Sequence, residues 1–408
     1  MFANYPNAIT MFPKYTAFQQ NSLPAAALIV RNNSNYQGLL AANEGANATF
    51  NIDPERNYVI GSSLGGLMAR EMDRQFDESG DPYRMGGFVT FASAHLGAGI
   101  VNGKEDFKKV AISACTELLT GPREDKTPVL ALWLLNLGPV AENITNAFCK
   151  EVVGGLTSVF LKDYDKAINE SYAVGASYLD DLNAYASDKP KMAFYGIEDE
   201  PVFWRSMQFS GIFGDAKGPN DFAPWQANDD QPLWNDVKAA KTKYEEKMKW
   251  NWHLHEWHKG KWHPGKVSAY KKRAESWARG VVWWETSNDQ FKTAVRVREL
   301  TTVTKTQTGC LCTSSNGAPP IQTMGSSSGT PPGYTCMEIT MRFQVPGWID
   351  HPSDGIVRAS SAKSLPNSIH EPVLMQGSSH FSNKNDSNTE VCLKGLYDGA
   401  YDDYFEIK

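Results

Sequence analysis

The chain lacks a long apolar run. Its longest, Val129 to Leu137, is too short to cross a bilayer, which needs about 20 consecutive apolar residues, so no transmembrane segment is expected. It also lacks a strong charge of one sign: the formal net charge is −6, with acidic and basic residues interspersed, which suggests neither a nucleic-acid partner nor an anionic-membrane surface. The opening Met1-Phe-Ala-Asn-Tyr-Pro has no basic segment followed by an apolar one, so no signal peptide is recognisable there. Cysteine is sparse, six residues in 408, and no internal repeat is evident.

The cysteines are nevertheless placed suggestively. Cys310 and Cys312 face Cys336 across a loop rich in Ser, Gly and Pro, and Cys-x-Cys without a second Cys/His pair at ligand spacing favours a disulfide across this loop over a zinc site. Asn-x-Ser/Thr triplets begin at Asn32, Asn47, Asn143, Asn169 and Asn385. Together these features favour an oxidising, extracellular or secreted setting. At 408 residues the chain can bury a large core in one elaborated domain or in two or three ordinary ones.

The most informative stretch is Asn57 to Met72. Tyr58, Val59 and Ile60 read as a buried strand, Gly61-Ser62-Ser63-Leu64-Gly65 is a Gly-x-Ser-x-Gly element, and Met68, Met72 and Phe76 recur at helical spacing. A serine hydroxyl is a weak nucleophile, and a sharp strand-to-helix corner exposes it, while the flanking glycines let backbone approach closely. The helix that follows points its N-terminal amides at the site, so the Leu64 N–H is a candidate oxyanion donor. Ser62 cannot be the centre, because glycine would then be needed where Ile60 and Leu64 stand.

Further strands are expected at Gly87–Ala92 and Met192–Gly196, with a helical block between about 100 and 187, the grammar of an α/β sheet carrying an insertion. Pro232 opens an expected long helix, and Thr293–Thr306 and Cys336–Val345 alternate as an antiparallel pair. Near the C-terminus come His351-Pro-Ser-Asp-Gly-Ile-Val and Gly377-Ser-Ser-His-Phe-Ser, the second followed by a helix-like tail from Asn388 to Tyr397. The order Ser63, Asp354, His380 is that of α/β-hydrolase triads, unlike those of chymotrypsin-like and subtilisin-like folds. A competing acid is Glu198 or Asp199 in Glu198-Asp-Glu200, after the strand that ends at Gly196; Asp350 is a weaker one. His95 is expected to brace the loop beside the elbow, and His370 to be solvated. The histidines of Trp252-His-Leu-His-Glu-Trp-His-Lys-Gly-Lys-Trp-His263 do not form His-Glu-x-x-His, since His255 and His258 are three apart, and with the interleaved tryptophans they suit an aromatic surface better than a metal site.

These segments resemble the lipases of the α/β-hydrolase fold, over roughly residues 55–100, 190–200 and 347–408. Gly-Ser-Ser-Leu-Gly-Gly-Leu-Met-Ala-Arg70 is similar to the lipase elbow Gly-His-Ser-Met-Gly-Gly-Leu-Val-Ala-Arg, and Ala92-Ser-Ala-His-Leu-Gly-Ala98 to the Thr-Pro-His-x-Gly loop, with Ala94 in place of proline. Ser353-Asp354-Gly-Ile-Val resembles the segment carrying the acid, and Ser379-His380 the one carrying the base. The resemblance implies a mostly parallel sheet flanked by helices. It divides the chain into hydrolase core at 1–99, 188–200 and 347–408, a helical cap at 100–187 and a second insertion at 201–346. It implies a serine esterase or lipase acting on acylglycerols or other lipid esters through an acyl-enzyme, with Ser63, Asp354 and His380 as triad and no metal or organic cofactor. Clustered aliphatics in 100–187 suit a cap that meets an acyl chain or makes transient contact with a lipid interface. Alternatives are an acyltransferase or peptidase on the same fold, or a non-catalytic binding protein.

One feature of the family has no counterpart here. Its members carry a strand and a His-Gly loop ahead of the elbow that supply the first oxyanion donor, whereas none of the 62 residues before Ser63 reads as such. Either the N-terminal strands are missing or a segment near Asn4–Asn7 substitutes. Loss of one such donor lowers turnover on the order of 10² to 10³-fold.

Overall fold

A computed structural model describes residues 21–32, 57–80, 85–103, 106, 167–198, 232–314, 316–317, 320–324, 334–380, 383 and 386–407. The chain divides into a larger unit, residues 1–297 with 351–408, and a smaller one, residues 298–350.

The larger unit is α/β. Four parallel strands, β1 (Tyr58–Ser62), β2 (Gly87–Phe91), β3 (Lys191–Ile197) and a strand from Val373 to Gln376, lie side by side in that order. Alternation along the strands divides two cores, as the period of 2 requires. Phe88 and Ala193 face one side, where they join Leu23, Ala26 and Ala27 of α1 (Leu23–Arg31) and Leu67, Met68, Met72 and Phe76 of α2 (Leu64–Ser79). Val89, Phe91, Met192 and Phe194 face the other, against Leu396 and Tyr397 of the helix Ser387–Tyr397 and against Phe405. Phe91 and Phe194, register partners, stack with ring centroids 4.6 Å apart. Burial on both faces explains why β2 and β3 read as continuous apolar runs.

The strands expected at Tyr58–Ile60, Gly87–Ala92 and Met192–Gly196 appear within a residue or two. Helix α1 was not expected, although Ser22 before Leu23-Pro24 and the spacing of Leu23, Ala26, Ala27 and Val30 carry the signal. Of the helical block 100–187, the structure describes α3 (Gly99–Asn102), α4 (Ala167–Glu170) and α5 (Ser177–Ala184). The aliphatic run Val129–Leu137, and with it most of the expected cap, lies outside the described residues.

After β3 comes a helical hairpin, α6 (Pro232–Gly260) and α7 (Pro264–Ala294). Its inner face is aromatic and tight: Tyr244 and Trp277 meet edge to face at 4.8 Å, and a Cβ at Gly280 would lie 2.3 Å from the Tyr244 ring. Helix α7 corrects the expected strand at Thr293. The Thr293 hydroxyl donates to the Asp289 carbonyl one turn back (2.8 Å), keeping it helical, and extended structure begins only at Arg298.

The smaller unit is an antiparallel sheet: β4 (Arg298–Ser314) pairs along its length with β6 (Tyr334–Asp350) and at its far end with β5 (Ile321–Met324). Cys312 and Cys336 are register partners and form a disulfide; Cys310, two residues before, is a thiol. Closing a loop of 24 residues limits the unfolded chain and is worth about 3 kcal/mol. Cys312→Ser with Cys336→Ser should therefore lower the denaturation midpoint of this unit, and a reductant should move the parent protein to the same midpoint.

One buried carboxyl ties stability to pH. Burial raises Asp73 on α2 from its ordinary value of 3.8 to about 6, with the Ser187 hydrogen bond and Lys191 opposing. Because the folded-state value lies above the unfolded one, this carboxyl's contribution to stability is full below pH 4 and is lost as pH rises through about 6, by ~2–3 kcal/mol. Urea titration of Asp73→Asn should show it more stable than the parent at pH 8, with the advantage shrinking as pH falls through 6.

Candidate active site

Strand β1 and helix α2 meet at Ser63 with no linker. Ser63 has φ 53° and ψ −123°, a region that only glycine adopts without strain. The corner is over-determined by close packing. A Cβ at Gly61 would lie 2.5 Å from the backbone of Gly65 and Gly66, and one at Gly66 would overlap the Ser93 side chain at 2.0 Å. The Ser63 N–H donates to the Phe91 carbonyl of β2 (2.8 Å), so the elbow is also hydrogen-bonded to the neighbouring strand. Ser63 occupies the N-cap of α2 but does not cap it with its side chain.

Its hydroxyl is committed elsewhere: Ser63 Oγ lies 2.9 Å from His380 Nε2. His380 sits between β7 (Val373–Gln376) and the helix α8 (Ser387–Tyr397), after a turn in which Gly377 takes φ 80°. His380 Nδ1 donates to Asp354 Oδ2 at 2.8 Å, and the His380 N–H donates to the Asp354 carbonyl at 2.7 Å, so ring and backbone are both anchored on the acid. The imidazole is tenth-exposed and the carboxylate is 1% exposed.

Asp354 is held as firmly. Its Oδ1 accepts from the Ile356 and Val357 amides (3.0 and 2.8 Å), in a turn that Gly355 makes possible at φ 95°. One carboxylate oxygen is thus fixed by backbone and the other is aimed at His380. Strand β3 comes close beneath, since a Cβ at Gly196 would lie 3.2 Å from the Asp354 Cβ and 2.3 Å from the Ser378 carbonyl.

The rival acids lie elsewhere. Glu198 is buried at the end of β3 and its N–H donates to the Ser353 carbonyl (2.7 Å), which places it beside the acid's loop, while the carboxylate on His380 is that of Asp354. Asp199 lies outside the described residues, as does the Asn4–Asn7 segment. Asp350 ends β6 and pairs with Arg298 at 3.5 Å. His370, expected to be solvated, is half-buried: its Nδ1 meets the Glu371 carbonyl (2.7 Å) and its ring packs edge to face on Tyr401. Leu64 is the first residue of α2, where helical N–H groups have no intrahelical acceptor, so its amide is free to serve an oxyanion.

His95 braces the elbow from behind through contacts that the sequence did not reveal. Arg70 of α2 donates from Nη1 to His95 Nδ1 (3.3 Å) and from Nη2 to the Leu182 carbonyl and Asn183 Oδ1 (2.9 and 2.8 Å). A guanidinium can only donate, so the imidazole proton is on Nε2, which faces Thr90 Oγ1 at 3.1 Å. Burial, reinforced by Arg70, holds His95 well below its ordinary range, and burial lowers Arg70 to about 10. His95 is therefore a neutral strut joining α2, β2 and α5. Next to it, Glu71 accepts from Arg74, Gln75 and the Tyr178 hydroxyl, and burial together with Glu71 raises the Tyr178 phenol far above its ordinary range. The Arg at the seventh position after the elbow serine was visible in the motif; its partner was not, because His95 lies 25 residues on. A second unforeseen tie joins the elbow to the segment that follows His380: the Ser62 hydroxyl donates to Asn383 Oδ1 (3.3 Å).

Among the described residues no three His, Cys, Asp or Glu side chains converge as a metal site, and no helix is long and apolar enough to cross a membrane. Comparison with protein-family models, with curated proteins and with solved structures gives no match.

Proposed function

We propose that the protein is a serine-dependent carboxylic ester hydrolase of the α/β-hydrolase fold, acting on lipid esters. The observation that carries this reading is the unbroken relay Ser63 Oγ–His380 Nε2 at 2.9 Å and His380 Nδ1–Asp354 Oδ2 at 2.8 Å, built on a strained strand-to-helix corner.

The chemistry follows from these positions. Asp354 keeps the Nδ1 tautomer of His380, so Nε2 presents a lone pair to the Ser63 hydroxyl. As Oγ adds to the ester carbonyl, its proton moves to Nε2, and Asp354 stabilises the imidazolium. The Leu64 amide receives the oxyanion, helped by the N-terminal end of α2. Collapse of the tetrahedral adduct breaks the ester C–O bond, and Nε2 returns the proton to the departing alcohol. Water, deprotonated by the same nitrogen, then releases the acyl group as a carboxylic acid. Every proton travels through one imidazole, and no step calls on a metal or redox partner.

Two features support the substrate class and setting. The clustered aliphatics of residues 100–187, inserted between β2 and β3, suit a lipid acyl chain. The Cys312–Cys336 disulfide suits an extracellular, oxidising environment. Labelling with a fluorophosphonate probe tests the reading: an adduct at Ser63 that disappears in His380→Ala supports it, and a folded protein that takes no label refutes it.

A further inference from the structure

The balanced charge of the whole chain conceals a local excess. Residues 247–273, the tip of the α6–α7 hairpin and the turns on either side, hold eight Lys or Arg against the single carboxylate Glu256, seven positive charges in excess on a chain of net charge −6. Summed over all 408 residues this excess is cancelled by acidic stretches elsewhere, so the net charge alone suggests no anionic-membrane surface.

The same tip exposes large aromatics that the hairpin does not need. Its packing is satisfied by Tyr244, His255, His258, Trp277, Val281 and Phe291, all buried. Trp250, Trp257 and Trp262 are left 57, 50 and 92% exposed. Trp262 is held at φ 55° in the turn, a left-handed position where glycine or asparagine would be unstrained, yet its indole stands almost wholly in solvent. The turn that carries it is rigid. His263 N–H and Lys261 N–H both donate to the His258 carbonyl, and the His258 ring stacks on Tyr270 and meets His263 Nδ1 to Nδ1 at 3.2 Å. His255 Nδ1 donates to the Val267 carbonyl and ties the two helices just below.

Exposed tryptophan with lysine on a stiff projection is the chemistry of a lipid–water interface. Indole prefers the headgroup level, where its apolar body is buried and its N–H stays wet, and lysine stems reach past it to anionic headgroups. Trp250 to Gly260 spans about 15 Å of helix, with Trp257 in the last turn before the tip. Lys261 lies over the Trp257 ring at 5.8 Å, and Lys259 beside it, 3.8 Å from Glu256, is two-thirds exposed. Neither helix is long and apolar enough to cross a membrane.

We propose that the tip of the helical hairpin, centred on Trp257, Lys259, Lys261 and Trp262, docks the protein on an anionic lipid surface. Docking of this kind is a property of the hairpin, independent of the proposed hydrolysis, and is measured without turnover. The test is co-sedimentation of the full chain with phosphatidylcholine vesicles and with vesicles that also contain phosphatidylglycerol, accompanied by tryptophan emission. The anionic vesicles should bind the protein more tightly and shift its emission to the blue, with binding weakened by salt. Lys259→Gln with Lys261→Gln should weaken it about twenty-five-fold, from roughly fivefold per lysine at a membrane surface. Trp257→Ala with Trp262→Ala should remove the blue shift and weaken binding to anionic vesicles, while circular dichroism stays that of the parent. No preference for anionic vesicles would overturn the proposal, as would unchanged vesicle binding in the tryptophan pair. So would a single-stranded polynucleotide that binds at least as tightly and does not respond to the tryptophan replacements, or a tryptophan-dependent dimer without vesicles.

Discussion

Ser63→Ala should lower the rate of ester hydrolysis on the order of 10⁶-fold, and His380→Ala should match it, because nucleophile and base act as one unit. The double variant should be no worse than either single one. This non-additivity separates a triad from two residues that merely bind substrate, whose losses would accumulate. Neither replacement should disturb the fold, since Ser63 holds the elbow through its backbone N–H to Phe91 and its side chain caps nothing. Purified protein assayed against p-nitrophenyl esters of increasing chain length provides the measurement. Parent activity in Ser63→Ala would remove the hydrolase reading, and parallel assays with amide substrates and acyl acceptors would separate hydrolysis from peptidase or transferase chemistry on the same acyl-enzyme.

Asp354→Asn should cost about 10⁴-fold in kcat through a change of tautomer. The amide oxygen of asparagine would keep the bonds from the Ile356 and Val357 N–H groups, which now hold Oδ1. Its NH₂ would then face His380 Nδ1 and force the imidazole proton onto Nε2, which would donate to Ser63 Oγ and have no lone pair left to take the hydroxyl proton. Glu198→Gln is the control: its backbone contact with Ser353 survives, and activity should stay within the parent's order of magnitude. Asp199→Asn should behave likewise. A large loss in Glu198→Gln with an active Asp354→Asn would transfer the acid's role to the strand β3 terminus.

What could be read in the sequence was local. Gly61 to Gly65 announces a sharp corner because only a few backbone conformations join a buried strand to a helix at a serine, and those conformations demand small neighbours. The strands at 87 and 191 are apolar because both faces of a parallel sheet are covered, so their composition alone marks them. Asp354 and His380 could be named because each lies in a short turn with its own glycine, Gly355 and Gly377.

Pairing across distance was not legible in this way. The choice between Asp354 and Glu198 depends on which carboxylate the fold aims at His380, and residues 156 apart in the chain end up on neighbouring loops. The Arg70–His95–Thr90 strut, the Ser62–Asn383 tie and the selection of Cys312 over Cys310 for the disulfide are likewise settled by register and packing. Helix α7 was hidden because its interior residues serve one partner helix while much of the rest is solvated, a weaker periodic signal than a globular core imposes. The sequence by itself therefore determined the sheet strands at 58, 87 and 191, the corner and the chemical types of the site, since these follow from backbone conformation and burial over a few residues. Tertiary structure alone decided which of those groups meet, because a hydrogen bond 2.8 Å long between residues 26 apart depends on how the intervening chain is folded.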